Sequence, residues 1–165
     1  MRVSYKGKSI LFMGDAVGRH NTDSDGNQNE DTDQLIATEK FLVDNSDSLI
    51  IDSDVLIASH HGANNGSAPK FIKAVSPQWV IFSAGRGHAH PRDLTAKRFI
   101  AAGVDSDKLL RTDLGDDESE YEHGDLEWPK GRIDDHRDPP RDDDLLISIG
   151  SSGSLTVGSD SAPCP

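Results

Sequence analysis

Polar and apolar residues alternate from Val3 to Tyr5, and an almost unbroken apolar run follows from Ser9 to Met13, with Lys6-Gly7-Lys8 between them. That arrangement predicts a β-hairpin whose second strand is of the buried kind and ends at Gly14-Asp15. Asn21 to Gln34 is a polar, Asp-rich loop. After it, Leu35, Ile36, Phe41 and Leu42 fall at helix-compatible spacing, with Asn45 positioned to end the segment. Asp54 to Ser59 (DVLIAS) predicts a strand that runs directly into His60-His61-Gly62. Ala68 to Val75 predicts a short helix with Pro69 in its first turn. Gln78 to Ala84 (QWVIFSA) predicts another buried strand, Arg92 to Ala102 a helix closed by Gly103, and Lys108 to Thr112 a further strand. Strand, loop and helix thus repeat, which indicates α/β layering. Leu145 to Ile149 and Ser154 to Val157, joined by Gly150-Ser151-Ser152-Gly153, predict a terminal hairpin.

Composition changes this picture at Asp113. From there to Asp144 the chain is acidic, contains prolines and is poor in aliphatic residues, which predicts an irregular insertion. The expected organisation is one domain over 1–158, interrupted by the insertion at 113–144, with a tail at 159–165. Hydrophobic residues make up 34% of the 165 and aromatic residues 5%, enough for a core under part of the chain. A formal net charge of −12 argues against tight nonspecific nucleic-acid binding, which draws its affinity from Lys and Arg on phosphates. A bound metal would reverse that field locally, so a polyanionic substrate stays compatible with it. The single cysteine, Cys164, excludes a disulfide framework and a thiolate zinc cluster within this chain. No apolar run reaches the roughly 18 residues of a membrane span, and the opening residues lack a signal-peptide pattern. They read as a strand already inside a domain; the compartment is left open. The loop DSDGNQNEDTD has oxygen ligands at Asp23, Asp25 and Asn27, but Gln28 stands where an EF-hand needs glycine, so a solvated loop is expected.

The chemistry gathers at strand ends. Phe12-Met13 leads to Asp15, Ile57-Ala58 to His60-His61, and Phe82-Ser83 to His88 and His90. Layered α/β folds bind ligands where the strand ends and their following loops converge. One carboxylate and several imidazoles brought to one sheet edge suit a divalent metal, zinc or alternatively manganese or iron. Gly14 lets the backbone turn tightly, so that the neighbouring Asp15 carboxylate points into such a site.

These strand ends also carry a resemblance. ILFMGDA resembles the LLTGD strand-and-aspartate motif of the metallo-β-lactamase superfamily, and DVLIASHHGANNGS resembles its DxLxxxHHGSxxS segment. SAGRGHAHP, followed by a helix, resembles SxGxxNxxxHPH, and FIAAGVDSDKLLRTD is similar to the LxxxGxxxxRTD closing segment of ComEC-type hydrolase domains. The motifs keep the family's order and cover roughly Ser9 to Asp113, with the Leu145 to Val157 hairpin beyond.

The resemblance implies an αββα sandwich of which this chain is mainly the C-terminal half. It implies hydrolysis by metal-bound hydroxide, of a phosphodiester or alternatively a small ester or lactone, with zinc (or manganese) as the metal. Asp15 would be the metal-bridging aspartate. One of the paired histidines would be the last metal ligand; His61 is favoured because it stands directly before the glycine, with His60 the alternative. His88 and His90 would contact the scissile phosphate or donate a proton to the leaving group. Ser59, Asn64, Ser67 and Arg86 would support the ligands or orient substrate. The superfamily's main metal motif, HxHxDH, does not occur in these residues. The resemblance therefore implies that the other ligands come from elsewhere: an N-terminal half-domain supplied as a partner, or self-association through an uncovered sheet face and edge. The remaining alternative is a non-catalytic half-domain that serves as a binding or structural module.

Overall fold

Short β-branched and leucine-rich runs separated by helical segments can be joined in parallel only by crossovers, and that constraint shapes the architecture. The computed structural model describes residues 1–20, 35–84, 90–112 and 144–159. The Asn21–Gln34 loop, Arg86, His88, nearly all of the acidic insertion and the end of the tail lie outside the described residues. Strands β1 (Arg2–Tyr5) and β2 (Lys8–Phe12) form the opening hairpin, turned at Lys6 and Gly7 with φ of 49° and 78°. Helix α1 (Ala37–Asp44) leads to β3 (Val55–Ile57), α2 (Pro69–Val75) to β4 (Trp79–Phe82), and α3 (Asp93–Ala101) to β5 (Leu109–Arg111). The hairpin β6 (Leu145–Ile149) and β7 (Leu155–Ser159) follows the insertion. Each element expected from the sequence is present, with ends displaced by at most two residues.

The first sheet has the order β1-β2-β3-β4-β5, antiparallel between β1 and β2 and parallel thereafter. Because side chains alternate across a strand, register sorts the apolar residues into two layers. Leu11, Leu56, Val80 and Leu109 lie in one row of the ladder and pack under Phe71, Ile72 and Val75 of α2 and Ala96 and Phe99 of α3. The adjacent positions Val55, Ile81 and Leu110 face the other way, against Leu145, Ile147, Leu155 and Val157 of the β6–β7 hairpin. The result is a mixed α/β arrangement with helices on one face of the sheet and a second, two-stranded sheet on the other.

Exposed apolar residues on this second face collect at β1 and β2, where Val3, Tyr5 and Phe12 reach solvent. The expectation of an uncovered sheet face is thus met at that end and not over β3 to β5, which the hairpin covers. Among the described residues no helix is long and apolar enough to cross a membrane.

One local result differs from the pattern reading. In α1, Phe41 is 60% exposed while Glu39 is 0% exposed, the reverse of what hydrophobicity alone suggests. The reason is a set of hydrogen bonds to the Glu39 carboxylate, described below, which fix how the helix is rotated. Ahead of β3, Asp54 accepts hydrogen bonds from Lys8 Nζ at 2.7 Å and Ser9 N–H at 2.9 Å. Burial pushes this carboxyl up, but Lys8 and Ser9 outweigh it and hold Asp54 below the usual carboxylate range.

Candidate functional site

The C-terminal ends of the parallel strands share one edge of the sheet, and the loops that leave it are tightly tied to each other. Gly14, just after β2, has a φ of 56°. After β3 the chain enters a tight, kinked turn, Ser59–Gly62, that is not helical: His60, His61 and Gly62 take φ of 49°, 57° and 83°. A left-handed conformation costs a non-glycine residue about 1–2 kcal/mol, so two adjacent histidines in it must be held there by their surroundings. His60 N–H donates to the Gly14 carbonyl at 2.7 Å, Ala63 N–H to the His60 carbonyl at 2.8 Å, and Arg92 N–H to the Gly62 carbonyl at 3.0 Å. Gly18 and Arg19 N–H groups both donate to the Asn65 carbonyl, at 2.9 and 3.0 Å. The loop after β2 therefore lies along the loop after β3.

This geometry turns His61 toward Asp15. The His61 Nε2 is 3.1 Å from Asp15 Oδ1, and its Nδ1 is 2.5 Å from the Ser83 carbonyl at the end of β4. A carbonyl can only accept, so Nδ1 carries a hydrogen and the neutral ring turns its Nε2 lone pair toward the carboxylate. Two acceptors at that separation need positive charge between or beside them. A proton on Nε2 satisfies the pair as an ion pair. A divalent cation satisfies it too, since ligand bonds of about 2.0–2.2 Å bring two ligand atoms to roughly 3 Å on one edge of a coordination polyhedron. A carbonyl on the far nitrogen is also the usual support of a metal-binding imidazole. Both side chains remain open to solvent, at 47% for His61 and 79% for Asp15.

His60 points elsewhere: its Nδ1 is 2.7 Å from Asn65 Oδ1. Its ring nevertheless lies 6.2 Å from that of His61 and 6.0 Å from that of His90. Asp15, His61, His60 and His90 thus form one cluster, whereas His88 and Arg86 lie outside the described residues. Among the described residues no group of three or more His, Cys, Asp or Glu is arranged to hold a metal ion. The Asp15–His61 pair fits a divalent metal as two ligands; further ligands would have to come from outside the described residues.

Ser59, Asn64 and Ser67 are buried, at 0%, 7% and 0% exposure, and build the loop rather than face an open site. Ser59 Oγ donates to Glu39 Oε1 at 2.6 Å, and Asn64 Oδ1 lies 3.3 Å from Thr95 Oγ1. Sequence reasoning missed Glu39, Asn65, Arg19 and Arg98, all of which hold this loop. A signal for Glu39 was present: it stands four residues after Leu35 and three before Leu42, on the apolar stripe of its helix.

Burial pushes the Glu39 carboxyl above its ordinary value of 4.5, and the bonds from Ser59, Ala68 and Ser67 and the Arg98 charge offset this only in part. An acid with a raised value binds more protons in the folded than in the unfolded chain. Its stabilising contribution is complete below pH 4.5 and is lost as pH rises through the raised value. The stability of the parent chain minus that of Glu39→Gln, measured by urea denaturation, should accordingly fall from pH 4.5 toward neutrality. A difference that stays constant or grows over that range would contradict the assignment.

A cleft of about 370 Å³ lined by Ser76, Gln78, Gly103 and Lys108 opens at the other end of the strands, away from these side chains. No family model and no solved structure matches the chain. Over 64 residues, 38% of its length, it is 44% identical to the protein named competence protein ComA of Neisseria gonorrhoeae, of whose length it spans 9%.

Proposed function

We propose that the complete protein is a metal-dependent hydrolase of the metallo-β-lactamase type, acting on a phosphodiester in a competence-related role, and that this chain contributes half of its metal site. The single observation that carries the reading is the Asp15–His61 pair, held at 3.1 Å by strained backbone with the far nitrogen of the imidazole spent on the Ser83 carbonyl. Residues held in such conformations cluster at active sites and ligand clamps. The likeness to competence protein ComA supports the competence-related role.

Zinc or manganese bound there would supply a water of lowered pKa and polarise a phosphoryl or acyl oxygen. The chain's own residues do the rest. Asp15 and His61 would hold such an ion through a carboxylate oxygen and the imidazole Nε2. The Ser83 carbonyl fixes the His61 tautomer, so that Nε2 is the atom available. His90, beside the His60 ring, is within the same cluster and can carry a proton to the departing oxygen, a role that falls to His88 as well. The remaining metal ligands come from an N-terminal half-domain or a second copy.

Elemental analysis of the purified chain, beside an Asp15→Ala, His61→Ala double variant, tests the reading. Zinc or manganese retained by the parent, with a second copy completing the ligand set, and lost in the double variant is the expected result. It would justify an assay on bis-p-nitrophenyl phosphate. Equal metal in both chains would sink the assignment of these two ligands. No metal in either would show that the chain does not hold the ion by itself, leaving it a fragment that needs the N-terminal half-domain.

A further inference from the structure

The arrangement that the proposed chemistry leaves unexplained is a buried pair of opposite charges with backbone inserted between them. Glu39, on α1, accepts a hydrogen bond at Oε1 from Ser67 N–H at 2.7 Å as well as from Ser59, and at Oε2 from Ala68 N–H at 2.8 Å. Arg98, on α3 and 5% exposed, donates from Nε to the Ser67 carbonyl at 3.1 Å and from Nη2 to the Gly66 carbonyl at 2.9 Å. Ser67 is therefore gripped on both sides, its N–H by the carboxylate and its C=O by the guanidinium. It too is left-handed, with a φ of 55°.

We infer that Glu39 and Arg98 are positioning residues, which clamp the Ser59–Ala68 loop from its N–H and C=O sides and thereby set His61 against Asp15. Glu39 reaches both loops that carry the pair. Ser59, one of its donors, directly precedes His60, and Gly18 lies so close that a Cβ there would sit 1.7 Å from Glu39 Oε2. Glu39 accepts from the Ser59 hydroxyl and from two loop N–H groups, and Arg98 donates to the Asn64, Gly66 and Ser67 carbonyls and to Thr95 Oγ1, so removing either takes away partners of the loop backbone and leaves the other charge buried with less compensation. The consequence for metal binding rests on the proposed function; the clamp itself does not.

Glu39→Gln retains the size of the side chain but turns an amide NH₂ onto either the Ala68 or the Ser67 N–H. Arg98→Lys retains the charge and loses the fork. In NMR spectra of the full chain, both variants should shift the amides of Gly14 to Arg19 and Ser59 to Ala68, and the backbone couplings of His60 and His61 should lose their left-handed values. The amides of β4 and β5 should stay in place. Zinc affinity, read by competition with a chromophoric chelator, should fall about 10- to 100-fold in each. Val104→Ala, a core truncation outside the loop, should lose stability with no change in zinc affinity. Unchanged couplings at His60 and His61 in both variants would overturn the clamp. So would a fall in zinc affinity matched by Val104→Ala. If the parent binds no zinc by itself, the couplings alone decide the clamp. If Glu39→Gln does not fold, Ser59→Ala, which removes one donor from the clamp, takes its place with the same expectations.

Discussion

Gly62→Ala should cost this chain about 2–4 kcal/mol of folding stability. Two independent effects add. The residue has a φ of 83°, a conformation an alanine adopts only under strain. A Cβ there would also lie 2.5 Å from both Phe82 Cδ1 and Pro91 Cβ, the first a ring with no room to withdraw and the second a ring fixed to backbone. For a core of this size, each kcal/mol shifts the melting temperature by about 4–8 °C, so a drop on the order of 10–20 °C is expected by circular dichroism. A melting temperature within about 3 °C of the parent would mean that the loop relaxes freely and is not held as described. Because Gly62 directly follows His61, the variant should also disturb the approach of His61 to Asp15.

Phe82→Ala should have the largest effect of any single truncation near the site, about 3–5 kcal/mol. The ring is 0% exposed and meets Phe99 edge-on, with centroids 5.8 Å apart and planes at 77°. Its loss removes a large buried surface, an aromatic pair and the support beneath the His61 turn. It also adjoins Ser83, whose carbonyl orients the His61 ring. Urea denaturation gives the magnitude, and a cost below about 1.5 kcal/mol would show that neighbouring side chains fill the space. The two substitutions should couple. With Phe82 truncated, part of the room that an alanine at position 62 needs is already present, so the double variant should lose less than the sum of the singles. Full additivity would indicate that Pro91, not Phe82, is the contact that matters.

Much of the fold could be read from one-dimensional pattern. The β1–β2 hairpin, the runs DVLIAS and QWVIFSA, Pro69 at the start of α2 and Gly103 after α3 are local signals, and local signals act over a few residues. The site's first members could be read for a related reason: Asp15, His60 and His61 stand at the ends of apolar strands, and parallel strands bring such ends to one edge. The chemistry of loops joined across space could not. Nothing in the string SHHGANNGS states that its second histidine faces an aspartate from another loop. That follows from three consecutive left-handed residues and from hydrogen bonds to Gly14, Ser83 and Arg92.

The same contrast holds for burial. The apolar spacing of α1 placed Phe41 toward the interior, yet the tertiary structure exposes Phe41 and buries Glu39. A buried carboxylate is costly by itself, so no local rule favours it. It becomes favourable only when donors from distant residues, here Ser59, Ser67 and Ala68, converge on it and an arginine from a third element offsets its charge. The sequence by itself determined the elements, their order and the residue types at the strand ends, because those depend on periodicity and turn chemistry. The tertiary structure decided which histidine meets Asp15, which polar residues are buried supports, and which carboxylate holds the loops together. Those depend on hydrogen-bond partners that are far apart in the chain and become neighbours only once the sheet has formed.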